Sequence, residues 1–153
     1  MATLIEFQKK LQPLTNRKVL EEMLFLAIKE TKNVAESLQK QQLGEGRSNE
    51  DEIIGTYARS TELEYIFGGR QSRKPKIEGE PYNFEDTGGF IDGITTIFEK
   101  DQVSFWSTDE KTPLLVSKYD NLLGLDDYNL SKYVLNSVFP IFENNFLKRL
   151  GLR

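Results

Sequence analysis

Between Leu20 and Leu38 the apolar side chains Leu20, Met23, Leu24, Ala27, Ile28, Val34, Ala35 and Leu38 return every three or four positions. That spacing lays them along one stripe of an α-helix. Thr15 and Asn16 offer side-chain oxygens to cap its start, and Gly44 can end it. The pattern therefore predicts a long helix over about 17–42. The tail of that helix, Ser-Leu-Gln-Lys-Gln-Gln, is nearly all polar and reads as a stretch projecting from the body. A short amphipathic lead with Leu4, Ile5, Phe7 and Leu11 precedes it and is closed by Pro13.

Later the pattern changes period. Ile53–Ala58 is short, β-branched and aromatic, which predicts a strand or extended segment. Ile94–Phe98 and Val103–Ser107 are two β-rich runs around the polar Glu99-Lys100-Asp101-Gln102, an antiparallel hairpin over about 94–107. Thr112-Pro113 reads as a cap followed by proline at the first helical position, opening a short helix through about Tyr119. Asp126 or Asp127 can cap a final helix that keeps its spacing through Leu130, Val134, Val138, Ile141 or Phe142, Phe146 and Leu150 and stops at Gly151. Pro140 lies inside that run, which predicts a C-terminal helix kinked there, or split in two. Residues 44–52 and 68–80 read as exposed loops, the second carrying Arg70, Arg73, Lys74 and Lys76. The whole predicts one α+β domain over 1–153, with a long N-terminal helix, a small antiparallel sheet and a C-terminal helix.

Composition then narrows the chemistry. Apolar residues are 38% and charged residues 29%, enough of each for a folded chain with a core. The 20 basic and 24 acidic residues leave −4, without the basic excess of a strong nucleic-acid binder, so DNA contact is possible through a local patch but not indicated. There is no Cys and no His. Disulfides, zinc–thiolate sites, thiol nucleophiles and the Ser-His-Asp arrangement are thereby excluded. Any catalysis would fall to carboxylates, Lys, Tyr, Ser or Thr, and no cofactor or metal site is expected. No apolar run has signal-peptide length or the ~20 residues of a bilayer span. The expectation is a reducing, cytoplasm-like compartment, or a particle assembled there, and no membrane.

One tripeptide invites an enzymatic reading. Asp86-Thr87-Gly88, within Asn83–Phe90, matches the signature of aspartic proteases, in which two facing aspartates share a proton and act as acid and base. One copy per chain would require a homodimer. Tyr82-Asn83-Phe84-Glu85, just before it, is half polar, unlike the buried strand that carries the aspartate in such enzymes. The simpler reading makes Asp86 or Thr87 the cap of a short helix, with Phe84 and Phe90 packing on either side. Ser37-Leu38-Gln39-Lys40 matches Ser-x-x-Lys but lacks the companion motifs of penicillin-recognising enzymes. Glu50-Asp51-Glu52 and Asp126-Asp127 lack calcium-loop spacing and read as surface charge and caps. The Arg70–Lys76 run lacks the glycine-rich phosphate loop and reads as a solvated loop, with an electrostatic contact to a partner as the rarer reading.

A set of short matches runs in order from Ile54 to Leu125: Ile54-Gly55-Thr56-Tyr57, Thr61-Glu62, Gly69-Arg70, Tyr82-x-Phe84-x-Asp86-Thr87-Gly88-x-Phe90, the hairpin, Asp109-x-Lys111 and Gly124-Leu125. The series resembles small virion or morphogenesis proteins of tailed phages and prophages of Bacteroidetes-type bacteria. More loosely, it is similar to tail-completion and head–tail connector proteins, in which a long helix precedes the motif and the motif opens a short helix before a sheet. Those wider families place a Tyr-Ala and a late Gly after the second strand; here Lys118-Tyr119 and Gly124 stand nearby, and the Ala is absent. The resemblance implies a non-enzymatic structural protein of the neck or tail. It would form a homo-oligomeric ring and contact other virion proteins, portal, connector or tail subunits. It would reside in the virion after assembly in the host bacterial cytoplasm. It implies no catalytic residue. The alternatives are a homodimeric aspartic protease using Asp86, and a small adaptor or inhibitor that binds a host protein.

Overall fold

The computed structural model describes residues 4–69, 71–100 and 102–152, apart from the side chains of Leu4 and Phe7. The predicted roles of those two side chains, and of Arg70, lie outside the described residues. The fold is α+β: helices dominate, and one two-stranded antiparallel sheet accompanies them. The chain packs as two compact units, residues 1–34 with 131–153 and residues 35–130.

The first unit holds α1 (Leu4–Leu14), α2 (Arg17–Glu30), a π-helical segment (Val134–Val138) and α8 (Phe139–Leu150). Asn16 caps α2, its Oδ1 accepting the Lys18 N–H at 3.0 Å, while the Thr15 hydroxyl turns back to the Gln12 carbonyl at 2.8 Å. α8 packs against α1 and α2. Leu14, Met23 and Leu150 form the buried centre, wrapped by Leu11, Val19, Phe142 and Phe146. Phe139, Phe142 and Phe146 stack ring on ring along α8, 6.5 and 6.2 Å apart, as residues three and four apart on one helix face can. Gly151 closes α8 at φ 74, a left-handed turn that donates the Leu152 N–H back to the Leu147 carbonyl.

Pro140 sits in the first turn of α8, directly after the π-helical segment. Proline has no N–H to donate, and its ring crowds the carbonyl four residues back. The wider π turn provides room at that point of the ladder.

The helix predicted over 17–42 is two helices. α2 ends at Thr31, and α3 (Lys32–Gly44) begins one residue later. The Thr31 hydroxyl donates to the Ala27 carbonyl at 2.8 Å and lies 2.8 Å from the Tyr133 hydroxyl. Threonine bonding back to a carbonyl competes with the helix ladder, and here Thr31 takes φ −105 and ψ 10. Periodicity alone does not register such a one-residue interruption.

The second unit is built on the rest of α3, with α4 (Arg59–Phe67), α5 (Gly89–Asp92), β1 (Ile94–Phe98), β2 (Val103–Ser107), α6 (Thr112–Lys118) and the start of α7 (Asp127–Tyr133). The hairpin lies where the two β-rich runs predicted it, with Thr96 opposite Phe105. Its buried core is Leu43, Phe90, Ile91, Ile94 and Leu122. Of the two alternatives for residues 53–58, the chain takes the extended segment, with isolated bridges from Ile53 to Arg47, Thr56 to Pro81 and Tyr57 to Glu78. Two expectations need correction. The polar tail of α3 does not project: Leu38, Gln39 and Gln42 are buried. Thr112 is not the cap of α6 but its first, fully buried residue, its hydroxyl donating to the Ser107 carbonyl at 3.1 Å. Asp126, rather than Asp127, caps α7: its Oδ1 accepts the Asn129 N–H at 2.7 Å.

A buried polar network joins these pieces of the second unit. The Gln42 amide donates to the Ser48 and Gly124 carbonyls, both at 2.9 Å. Its Oε1 accepts the Asp126 N–H at 3.0 Å and the Asn129 side-chain amide at 3.3 Å. All four hydrogen-bonding positions of the amide are thus used, which is what allows a glutamine with no exposed surface. Arg47 approaches the buried Asp126 carboxylate at 3.9 Å.

Candidate functional site

The tripeptide Asp86-Thr87-Gly88 lies on the wall of an open pocket of about 360 Å³ in the second unit. The segment before it is held by backbone pairing: the Tyr57 N–H donates to the Glu80 carbonyl at 3.0 Å, and the Tyr82 N–H to the Gly55 carbonyl at 2.9 Å. Gly55 is required there, because a Cβ would stand 2.4 Å from the Tyr82 ring. Phe84 then takes φ 51, a left-handed conformation uncommon for a bulky side chain. Its ring packs 6.0 Å from Phe90 and 5.7 Å from Tyr119.

The helix start differs from the expectation. Gly88, at φ 93, occupies the cap position of α5 in place of Asp86 or Thr87. A Cβ on Gly88 would meet the Arg73 guanidinium, which fills the space a longer residue would need. Asp86 instead contributes its carbonyl, which accepts the Arg73 N–H at 2.8 Å. No strand leads into Asp86; the residues before it run without regular structure through the left-handed Phe84. Phe84 and Phe90 do pack together, as the sequence suggests.

The predicted basic loop is tied down. Arg73 pairs with Asp92 at 2.8 Å and Lys74 with Glu85 at 2.7 Å. The hydrogen bond to Asp92 raises the Arg73 guanidinium above its ordinary pKa. Lys76, only 3% exposed, is not a solvated cation at all. Its ammonium donates to Asn83 Oδ1 at 2.6 Å and to the Tyr57 hydroxyl at 3.0 Å, and stands 5.1 Å from the Tyr57 ring centre. The Tyr57 hydroxyl donates in turn to Asn83 Oδ1 at 3.0 Å and accepts the Asn83 N–H at 3.1 Å. The sequence placed Tyr57 in an extended run, Lys76 in a solvated loop and Tyr119 at a helix end, with nothing to link them; the Tyr82 ring, 5.0 Å from Tyr57 and 5.8 Å from Tyr119, brings them to one pocket.

The remaining motifs resolve as structure. Ser37 is exposed on α3, and Lys40 donates to the Asp92 carbonyl at 3.2 Å. Asp51, in the acidic run, pairs with Arg47 at 2.5 Å. Among the described residues no group of His, Cys, Asp or Glu is placed to hold a metal ion, and no helix is long and apolar enough to cross a membrane.

A second concavity lies within the first unit. Leu20 and Leu24 of α2, Val134 and Val138 of the π segment, and Phe139 and Phe142 of α8 line a groove of about 400 Å³. Arg17 and Glu21, paired with each other at 2.7 Å, stand at its edge. Phe139 remains 52% exposed. In the second unit α4 buries no residue, leaving Leu63, Ile66 and Phe67 exposed, Phe67 by 80%. Comparison with protein-family models, curated proteins and solved structures gives no match.

Proposed function

We propose that the chain is a non-enzymatic structural protein of a tailed-phage virion, of the head–tail connector or tail-completion kind. It acts as one subunit of a homo-oligomeric ring that contacts neighbouring virion proteins and assembles in the host cytoplasm. The sequence resemblance suggests the setting, and one observation supports the mode of action. The chain carries two different exposed apolar surfaces, the groove around Phe139 and the face of α4 ending in Phe67. Rings are built from heterologous contacts, in which one surface of a subunit meets a different surface of the next. A groove of aliphatic and aromatic side chains accepts a short apolar helix face of this kind, so α4 of one copy would seat in the groove of its neighbour.

Two variants test the arrangement by light scattering after size exclusion. Phe67→Asp spoils the inserted face and Phe139→Asp the groove, so each alone is expected to be monomeric. Mixed together, they retain one intact groove and one intact face between them and are expected to form dimers and nothing larger. A wild type that stays monomeric at high concentration, or a mixture that stays monomeric, would sink the ring. Mass spectrometry of purified particles tests the setting separately: absence of the chain from virions overturns it.

A further inference from the structure

We infer that the pocket beside Phe84 binds a small planar carboxylate, a flat ring bearing one negative charge. Three features of the second unit support this, none of which involves the groove or the exposed face of α4.

The first is an ammonium without a counter-charge among the described residues. Lys76 is almost wholly buried, yet its partners among the described residues are two neutral oxygens and a tyrosine ring. Removing a cation from water is costly unless an anion or a full set of hydrogen bonds compensates. An ammonium has three N–H donors, and two are used. Lys76 lines the pocket, so an anion there would supply both the third acceptor and the charge.

The second is the wall. Tyr57, Tyr82, Phe84, Phe90 and Tyr119 all face the pocket and touch one another edge-on or tilted, with ring centres 5.0–6.2 Å apart. Such a wall favours a flat apolar body over a branched one. Phe84 joins it only by adopting φ 51, and strain of that sort concentrates at ligand sites.

The third is the charge of the lining. Lys111 and Lys118 line the pocket together with Asp86 and Asp109. Lys118 is held over the Tyr119 ring at 5.1 Å, and Asp109 Oδ1 is engaged by the Lys111 N–H at 2.8 Å. With Lys76, three lysines face two aspartates among the described lining residues. That excess suits one negative charge, whereas a dianion would meet the two aspartates.

The probes are 4-hydroxybenzoate, its neutral amide, and cyclohexanecarboxylate, each titrated into the ¹⁵N-labelled full chain. 4-Hydroxybenzoate is expected to shift amides of residues 84–88, 111 and 119 with a millimolar or tighter Kd. The uncharged amide and the non-planar acid are expected to bind at least about tenfold more weakly. Lys76→Met is expected to weaken 4-hydroxybenzoate by at least about tenfold; should that variant fail to fold, the three wild-type titrations decide alone. Equal binding of the amide refutes the role of charge, and equal binding of cyclohexanecarboxylate refutes the aromatic wall. Shifts scattered over the surface, or none at about 10 mM, overturn the site.

Discussion

Replacing Gln42 with methionine keeps the side-chain length and removes every hydrogen bond the amide makes. Two of the four partners have a second bond to fall back on. The Ser48 carbonyl also accepts the Asp51 N–H at 3.1 Å, and the Asn129 amide also donates to Asp126 Oδ2 at 3.0 Å. The Gly124 carbonyl and the Asp126 N–H lose the partner that the structure gives them. Each buried group so stranded costs about 1–3 kcal/mol. Methionine recovers part of this by burying apolar surface, so the expected net loss is about 2–4 kcal/mol. Urea unfolding followed by the fluorescence of Trp106 measures it, since that single tryptophan lies on β2 in the same unit. A loss below about 1 kcal/mol would show that water replaces the amide without penalty, and the network would not be the joint described above. Gln42→Glu sharpens the test. Its carboxyl would share the Asn129 amide with the Asp126 carboxylate, so ionisation is disfavoured in the folded state and its pKa is raised. Its stabilising contribution is then full below the unfolded value of about 4.3 and lost as pH rises through the folded value. The deficit of this variant relative to wild type should therefore grow from acid to neutral pH; a pH-independent deficit refutes the placement of the two side chains.

Phe90 is 6% exposed at the centre of the second core, so Phe90→Ala should lower the stability of that unit by about 3–5 kcal/mol in urea; a loss under about 1.5 kcal/mol would mean that the ring is not packed as seen. Burial pushes the Tyr133 phenol above its ordinary pKa of 10.0, and its bond to Thr31 only partly opposes this. Its stabilising share is full below about pH 10 and lost as pH rises further, because the unfolded chain ionises first. The stability gap between wild type and Tyr133→Phe should thus narrow from about pH 9 to about pH 11 in equilibrium unfolding, and a constant gap would refute it.

Signals spanning a few residues carried through to the fold. The polar turn between two β-rich runs became the hairpin, Asn16 and Asp126 became helix caps, and Gly151 became the left-handed stop of α8. Each of these outcomes depends on backbone geometry and side chains that are neighbours in the chain. The Asp86-Thr87-Gly88 motif was legible only as a bend near a helix start, and even its cap passed to Gly88, whose φ of 93 is a left-handed conformation that a residue with a Cβ rarely adopts. What composition and periodicity could not reveal is which polar residues are inside. Gln42 reads as the solvated end of a helix until Gly124, 82 positions later, supplies the carbonyl it needs. Lys76 reads as one cation of an exposed loop until Tyr57 and Asn83 enclose it. Whether a polar side chain is buried depends on whether distant backbone and side-chain groups converge to satisfy it. That convergence belongs to the tertiary structure, and so does the pocket it builds.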